Sequence, residues 1–359
     1  MPTASASPLH LPQRESLVTQ TARSLRQNIE EGHWRDEMPS ERELCETLQV
    51  SRRTLRAALD ELQRQGLLAV QSRQRRKINV SAATADSGNV SKVIGMLVSS
   101  AFWSPTLGYL LNSIRDRLAA QGYDVQIHAA PGCYTGPPGR GLKNLIQSHP
   151  ASAWLIMSPG EAMQRWLAEQ HVPCLILGSA LPGVELPSVD QDFHAVCRHA
   201  VTHLWRKGHR RITLVLPKQK LGGDLASELG AREAAAQLAN TTLNVLKHDG
   251  STGGLSRALT QCLRSTSAPT AFVVARADYV ITVMMQLLRE GKRLPQDVAV
   301  LARDDDPLLD CATPEVARYS NPPKSFATRV AKALKQLSES GHLEGAIRLM
   351  PSFRPGETV

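Results

Sequence analysis

"MPSERELCETLQVSRRTLRAALDELQRQGLL" (residues 38–68) holds two short helical patterns with almost nothing between them. Ser40 and Glu43 form an S-x-x-E capping box, which predicts a helix from Glu41 to about Leu48. Ser51 is placed to cap a second helix, in which Leu55, Ala58, Leu59 and Leu62 recur at helical spacing and Gly66 supplies the stop. Two helices joined by so short a turn make a helix-turn-helix. Arg53 and Arg56 lie off the apolar stripe, and Ser51, Arg52 and Thr54 sit at the N-terminal end of the second helix. That end is the part of such a unit that enters a major groove, where Arg pairs with guanine and Ser or Thr reaches a base or a phosphate. After Gly66, "LLAVQSRQRRKINV" (67–80) predicts a two-stranded wing whose Arg73 and Arg75 would lie along phosphates or a minor groove.

Charge placement agrees with a polyanionic partner. The 359 residues carry 42 basic and 33 acidic side chains, a formal net charge of +9. Between Arg52 and Lys77 eight basic residues face two acidic ones, a local excess of six. Hydrophobic content of 42% is enough to build cores and excludes a disordered chain. The six cysteines are scattered without a CxxC pair, which fits small core residues in a reducing compartment. No apolar run approaches the roughly twenty residues of a membrane span. "MPTASASPLHLPQRES" (1–16) lacks the basic and apolar regions of a signal peptide, so the expected location is the cytoplasm.

Upstream, Leu17, Thr21, Leu25 and Ile29 predict a helix over about 16–31, which opens a DNA-binding domain spanning 15–80. "SAATADSGNVS" (81–91) reads as a linker. From residue 92 to 359 strands and helices alternate: "KVIGMLVSS", "TLGYLLNSIRDRLAAQG", "YDVQIHAA", "SAWLIMS" and "VPCLILG" lead into "AVCRHAVTHLWRKG", "RRITLVLP" and further pairs down to "DVAVLAR" (297–303). Continuous apolar strands joined by helices predict parallel sheets covered on both faces. About 265 residues exceed one ordinary core, so two doubly wound α/β lobes are expected behind an α+β winged helix-turn-helix.

The stretch over 16–80 resembles the winged helix-turn-helix of GntR-type bacterial regulators, whose signature runs roughly LPSERELA…VSRxTVRxALxxLxxxGL and matches Pro39, Ser40, Glu41, Arg42, Ser51, Arg52, Thr54, Arg56, Leu59, Leu62 and Gly66 together. The resemblance implies DNA contacts by Arg42, Ser51, Arg52 and Arg56. Arg73 stands where that family's wing turns through Gly. Farther on, "VDQDFHAVCRHAVTHLWRKGHRRITLV" (189–215), "APTAFVVARADYV" (268–280), "LPQDVAVLARDDDP" (294–307) and "TPEVARYS" (313–320) resemble the ligand-binding region of LacI-type regulators, which share the fold of periplasmic sugar-binding proteins. That resemblance implies an effector between the lobes, at the carboxyl ends of the strands. Its ligand-facing positions fall on Ser99, Ser100, Phe102 and Trp103 after the first strand, on Asp278 and on Asp304. Phe102 and Trp103 fit either ligand stacking or packing between lobes. Two departures stand out. The family's clamping Arg falls on Ser227, and its GFDD becomes Ala302-Arg303-Asp304-Asp305. Arg276 or Arg303 could supply the missing cation.

The expected protein is therefore a homodimeric, sequence-specific transcription regulator, a repressor that binds a pseudo-palindromic operator and responds to a small, sugar-like molecule. The alternative is an α/β region that serves only as a dimerisation scaffold. A metal-responsive reading rests on His199 and His203 at i, i+4 with His194 and Cys197 nearby, but it lacks a carboxylate or a second ligand pair. No metal, cofactor or membrane partner is expected. No nucleophile-elbow, P-loop or dinucleotide motif sits at a strand–helix junction, so no enzyme is expected.

Overall fold

A computed structural model describes residues 16–30, 34, 38–64, 68–69, 77–78, 92–99, 104–134 and 139–359. They fall into two compact units divided between residues 90 and 91. The wing turn, with Arg73 and Arg75, and the expected linker 81–91 lie outside the described residues.

The first unit contains α1 (Leu17–Glu30), α2 (Glu41–Leu48), α3 (Arg52–Arg64) and an antiparallel pair, β1 (Leu68–Ala69) with β2 (Lys77–Ile78). The capping box forms as expected: the Ser40 side chain accepts from the Glu43 amide, and the Glu43 carboxylate accepts from the Ser40 amide at 2.9 Å. Gln49 turns the chain out of α2 in the left-handed conformation, φ 51°. Ser51 Oγ then accepts from the Thr54 amide at 3.1 Å and starts α3. Leu25, Leu55, Ala58, Leu59 and Leu62 are buried to 0–1% exposure and seat α3 on α1. Truncating one of these leucines to Ala would remove about 2–5 kcal/mol, a large part of a small domain's stability.

The second unit is built on two six-stranded sheets. Lobe I takes β3 (Val93–Val98), β4 (Asp124–Ala129), β5 (Ala153–Met157), β6 (Cys174–Leu177), β7 (Ser188–Gln191) and β13 (Ala346–Leu349) in the order β13-β7-β6-β5-β3-β4, all parallel. Lobe II takes β8 (Arg211–Pro217), β9 (Thr242–His248), β10 (Ala271–Val274), β11 (Ala299–Ala302), β12 (Ala317–Ser320) and β14 (Ser352–Arg354) in the order β14-β12-β11-β10-β8-β9. Only β14 runs antiparallel to its neighbour there. Lobe I is covered by α4 (Pro105–Ala119), α5 (Arg140–Ser148), α6 (Glu161–Glu169) and α11 (Pro323–Ser340), and lobe II by α7 (Phe193–Arg206), α8 (Gly222–Gln237), α9 (Thr252–Leu263) and α10 (Ala277–Arg289).

The chain changes lobe three times: between β7 and α7, between β12 and α11, and between β13 and β14. Helix α11 returns Phe326, Val330 and Leu334 to the lobe I core. Helices α7 and α8 pack closely because position 230 is Gly; a Cβ there would run into the backbone carbonyl of His194. These crossings bring the carboxyl ends of both sets of strands to one seam.

Candidate DNA-binding face and ligand cleft

The first unit offers a cationic face built by α2 and α3. Ser51, Arg52, Arg53 and Arg56 are exposed, and Thr54 is half-buried with its hydroxyl 2.8 Å from Ser51 Oγ. Ser51 thus spends its side chain on capping α3. Four arginines of the expected contact set divide into two kinds. Arg42 pairs with Glu46 at 3.1 Å and Arg56 with Glu41 at 3.0 Å, both largely in water. Arg52 and Arg53 have no ion-pair partner among the described residues. They project from the first turn of α3, where the amide ends of the helix add partial positive charge.

In the second unit the seam between the lobes is lined by polar groups at strand ends. Lobe I supplies Ser99, buried after β3; Ser158 after β5, at φ 42°; Ser179 after β6; and Asp190 in β7. Ser179 Oγ donates to Asp190 Oδ2 at 2.6 Å, and the Gln191 amide to Oδ1 at 2.8 Å. Burial pushes the Asp190 carboxyl up to about 6, against the pull of these two donors and of Arg348 and Arg303.

Lobe II supplies a charged network. Arg303, 5% exposed at the end of β11, donates through Nη1 to Asp224 Oδ1 at 2.7 Å and to Ser227 Oγ at 2.9 Å. Its Nε and Nη2 grip Asp304 at 3.2 and 3.0 Å, and its guanidinium lies 4.1 Å over the ring of Phe193. Burial alone would lower the Arg303 pKa; Asp304 and Asp224 outweigh it, and the net shift is upward. Arg276 stands beside this group at φ 65°, a left-handed conformation strained for a residue with a side chain. Its amide donates to Asp304 Oδ2 at 2.9 Å, and its guanidinium binds both oxygens of Asp278 at 3.1 and 3.0 Å. His248, 2% exposed at the end of β9, accepts the Gly250 amide on Nδ1 at 3.1 Å and stands 4.3 Å from the Tyr279 ring, perpendicular to it. Its Nε2 has no hydrogen-bond partner among the described residues. Burial lowers the pKa of this ring, and with Nδ1 accepting from Gly250 the neutral ring carries its proton on Nε2.

The lobes touch where α8 begins. A Cβ on Gly222 would overlap the backbone carbonyl of Ser179, and one on Gly223 would sit 3.4 Å from Asp190 Oδ2 and 2.8 Å from Phe193. Only glycine lets the two backbones approach so closely. Two surface grooves, about 700 and 720 Å³, lie elsewhere, between α4 and α11 and between α9 and α10.

Of the expected effector residues, Ser227, Arg276, Asp278 and Asp304 come together in this network, and Ser99 lies at the end of β3. Ser100, Phe102 and Trp103 lie outside the described residues. Asp224, Phe193, Asp190 and His248 were missed; the one legible signal was Asp190, a carboxylate closing a strand just before a helix. His199 and His203, weighed as metal ligands, instead meet an aromatic group: His199 Nδ1 lies 2.6 Å from the Tyr319 hydroxyl and the His203 ring 4.7 Å from that of Phe353. No trio of metal-ligating side chains occurs among the described residues. Nor is any described helix long and apolar enough to cross a membrane.

Residues 17–78 match the family described as bacterial regulatory proteins, gntR family, and residues 201–359 match a periplasmic binding protein-like domain. The chain is 23% identical over 317 residues to the arabinose metabolism transcriptional repressor of Geobacillus stearothermophilus, covering 85% of each protein. It is 28% identical over 187 residues to the regulator MalR of Streptomyces coelicolor, but spans only about half of that relative (52%). A LacI family regulator from Enterococcus faecium, solved with bound ribose, shares the fold at 21% identity and a TM-score of 0.61, over 74% of this chain and 98% of that one.

Proposed function

We propose that this chain, a DNA-binding transcription regulator that joins a gntR-type reader to a periplasmic-binding-protein-like module, is a homodimeric repressor released by a small polyhydroxylated molecule held between its lobes. The observation that carries the reading is the N-terminal end of α3, where Arg52 and Arg53 stand exposed, with no ion-pair partner among the described residues, on a firmly seated helix. Arg52 and Arg53 read base edges, Arg42 and Arg56 exchange their carboxylates for phosphates, and Ser51 and Thr54 hold the helix end against the backbone. Arg73 and Arg75 extend the contact along the wing. A reader of this kind works beside the chromosome, in the cytoplasm.

An apolar stripe on α10, where Met285 and Leu288 are 56% and 67% exposed, supports the dimer. Two copies that bury this stripe by two-fold symmetry present two readers to a pseudo-palindrome. The relatives named for arabinose metabolism and solved with ribose support a sugar-like effector. Binding shifts the lobe equilibrium, and with it the spacing of the two readers. Fluorescence anisotropy with an operator duplex, with and without neutral sugars, tests this. Release by a sugar that binds is expected; a sugar that binds yet leaves operator affinity unchanged contradicts it. One observation favours the scaffold reading: Arg303 is already saturated by internal partners and the seam is closed at Gly222. Calorimetric silence toward every sugar tried would support it.

A further inference from the structure

We propose that the cleft selects an uncharged polyhydroxylated molecule and discriminates against its phosphorylated or carboxylated counterparts, and that Asp224, Asp278 and Asp304 impose this selection. The proposal rests on the effector reading above and assigns the chemical class of what that site takes.

Both guanidiniums described at the lobe II strand ends are already matched by carboxylates. Arg303 bonds Asp224 and Asp304 together with the Ser227 hydroxyl, and Arg276 is held in both arms by Asp278. Three carboxylates against two guanidiniums leave one negative charge in excess, and across the seam Asp190 is matched by the nearby Arg348. Lys218 and Lys220 on the loop before α8 are exposed to water, which screens them, and Lys218 neighbours Asp249. An entering phosphate or carboxylate would have to displace a carboxylate from a buried guanidinium or stand unmatched beside several of them. Either is unfavourable in a site of low dielectric.

A hydroxylated ligand meets the opposite situation. The His248 Nε2–H is a buried donor with no partner among the described residues, set among Asp224, Asp278 and Arg276, and a hydroxyl or ring oxygen can accept from it. The free lone pairs of Asp278, which is half-exposed, accept from hydroxyl groups in turn. Ser158 and Ser179 add hydroxyl partners from lobe I.

Isothermal titration calorimetry on the full chain, with arabinose, ribose and galactose set against arabinose 5-phosphate, ribose 5-phosphate and galacturonate, tests this. The neutral member of a pair should bind at least about tenfold more tightly than its anionic counterpart. Asp278→Asn, an exposed change that takes the carboxylate away from both arms of Arg276, should narrow that ratio severalfold. An anionic member that binds as well or better, and that shifts operator affinity, overturns the selection while leaving the effector reading intact. An unchanged ratio in Asp278→Asn overturns the assignment to the carboxylates. Absence of heat from every member, with operator affinity unmoved, overturns the effector reading and the selection with it.

Discussion

Arg56 and Arg52 sit one helical turn apart and yet begin from different states. Arg56 must give up Glu41 before it can hold a phosphate, whereas Arg52 gives up only water. Glu41→Gln should therefore tighten binding to random duplex modestly, by a few-fold at low salt, and steepen its salt dependence; anisotropy across a salt series measures both. Asp190 makes a pH prediction. Its folded carboxyl is held up near 6, so the folded chain binds a proton that the unfolded chain releases near pH 4. Its contribution to stability is present below about pH 4 and is lost as pH rises through about 6. Chemical denaturation of Asp190→Asn should show a flatter fall in stability across that window than the parent chain. At this scale the sequence was half legible. Ser227 stood out as a missing clamp and Arg303 was one of two cations named in its place, but the bond between the two, 76 residues apart, is made only by the fold. Pairings of that separation leave no local periodicity to read.

Elements were legible wherever caps and periodicity were local. The capping box at Ser40, the Ser51 start of α3 and the alternation of strand and helix from β3 to β11 all follow from neighbouring residues. Ser51→Ala should lower the stability of the first unit by about 1 kcal/mol, read by thermal unfolding, because the Thr54 amide loses its acceptor. The last stretch resisted. Helix α11 and strands β13 and β14 cross between lobes three times in all with β7–α7, and the lobe a short strand joins depends on long-range sheet pairing, not on its own residues. The GG pair at the head of α8 gave no local hint of a seam, because its purpose is the approach of Ser179 from the other lobe. Gly222→Ala should wedge the lobes apart there. Sugar affinity is expected to fall by about tenfold or more in calorimetry, with operator binding in the absence of sugar unchanged.

For the whole molecule, the composition pointed correctly to a basic face and a large α/β remainder, because charge and core size are additive properties of a sequence. What assembles with what is not additive. The apolar stripe of α10 emerges only once the inner face of that helix is seen to be filled by Val280, Val283, Met284 and Leu287. Leu288→Glu should shift the protein from dimer to monomer in sedimentation and weaken operator binding at least about a hundredfold, since a single reader contacts one half-site. The claim beneath all of this is that the N-terminal end of α3 reads base sequence. Duplexes enriched from a random library by the full chain, then titrated against wild type and Arg52→Ala beside a random duplex, test it directly. The expected result is a loss of about 1–3 kcal/mol on the enriched duplex with random-duplex affinity nearly unchanged. Equal losses on both duplexes, or no binding to either at low ionic strength, would contradict it.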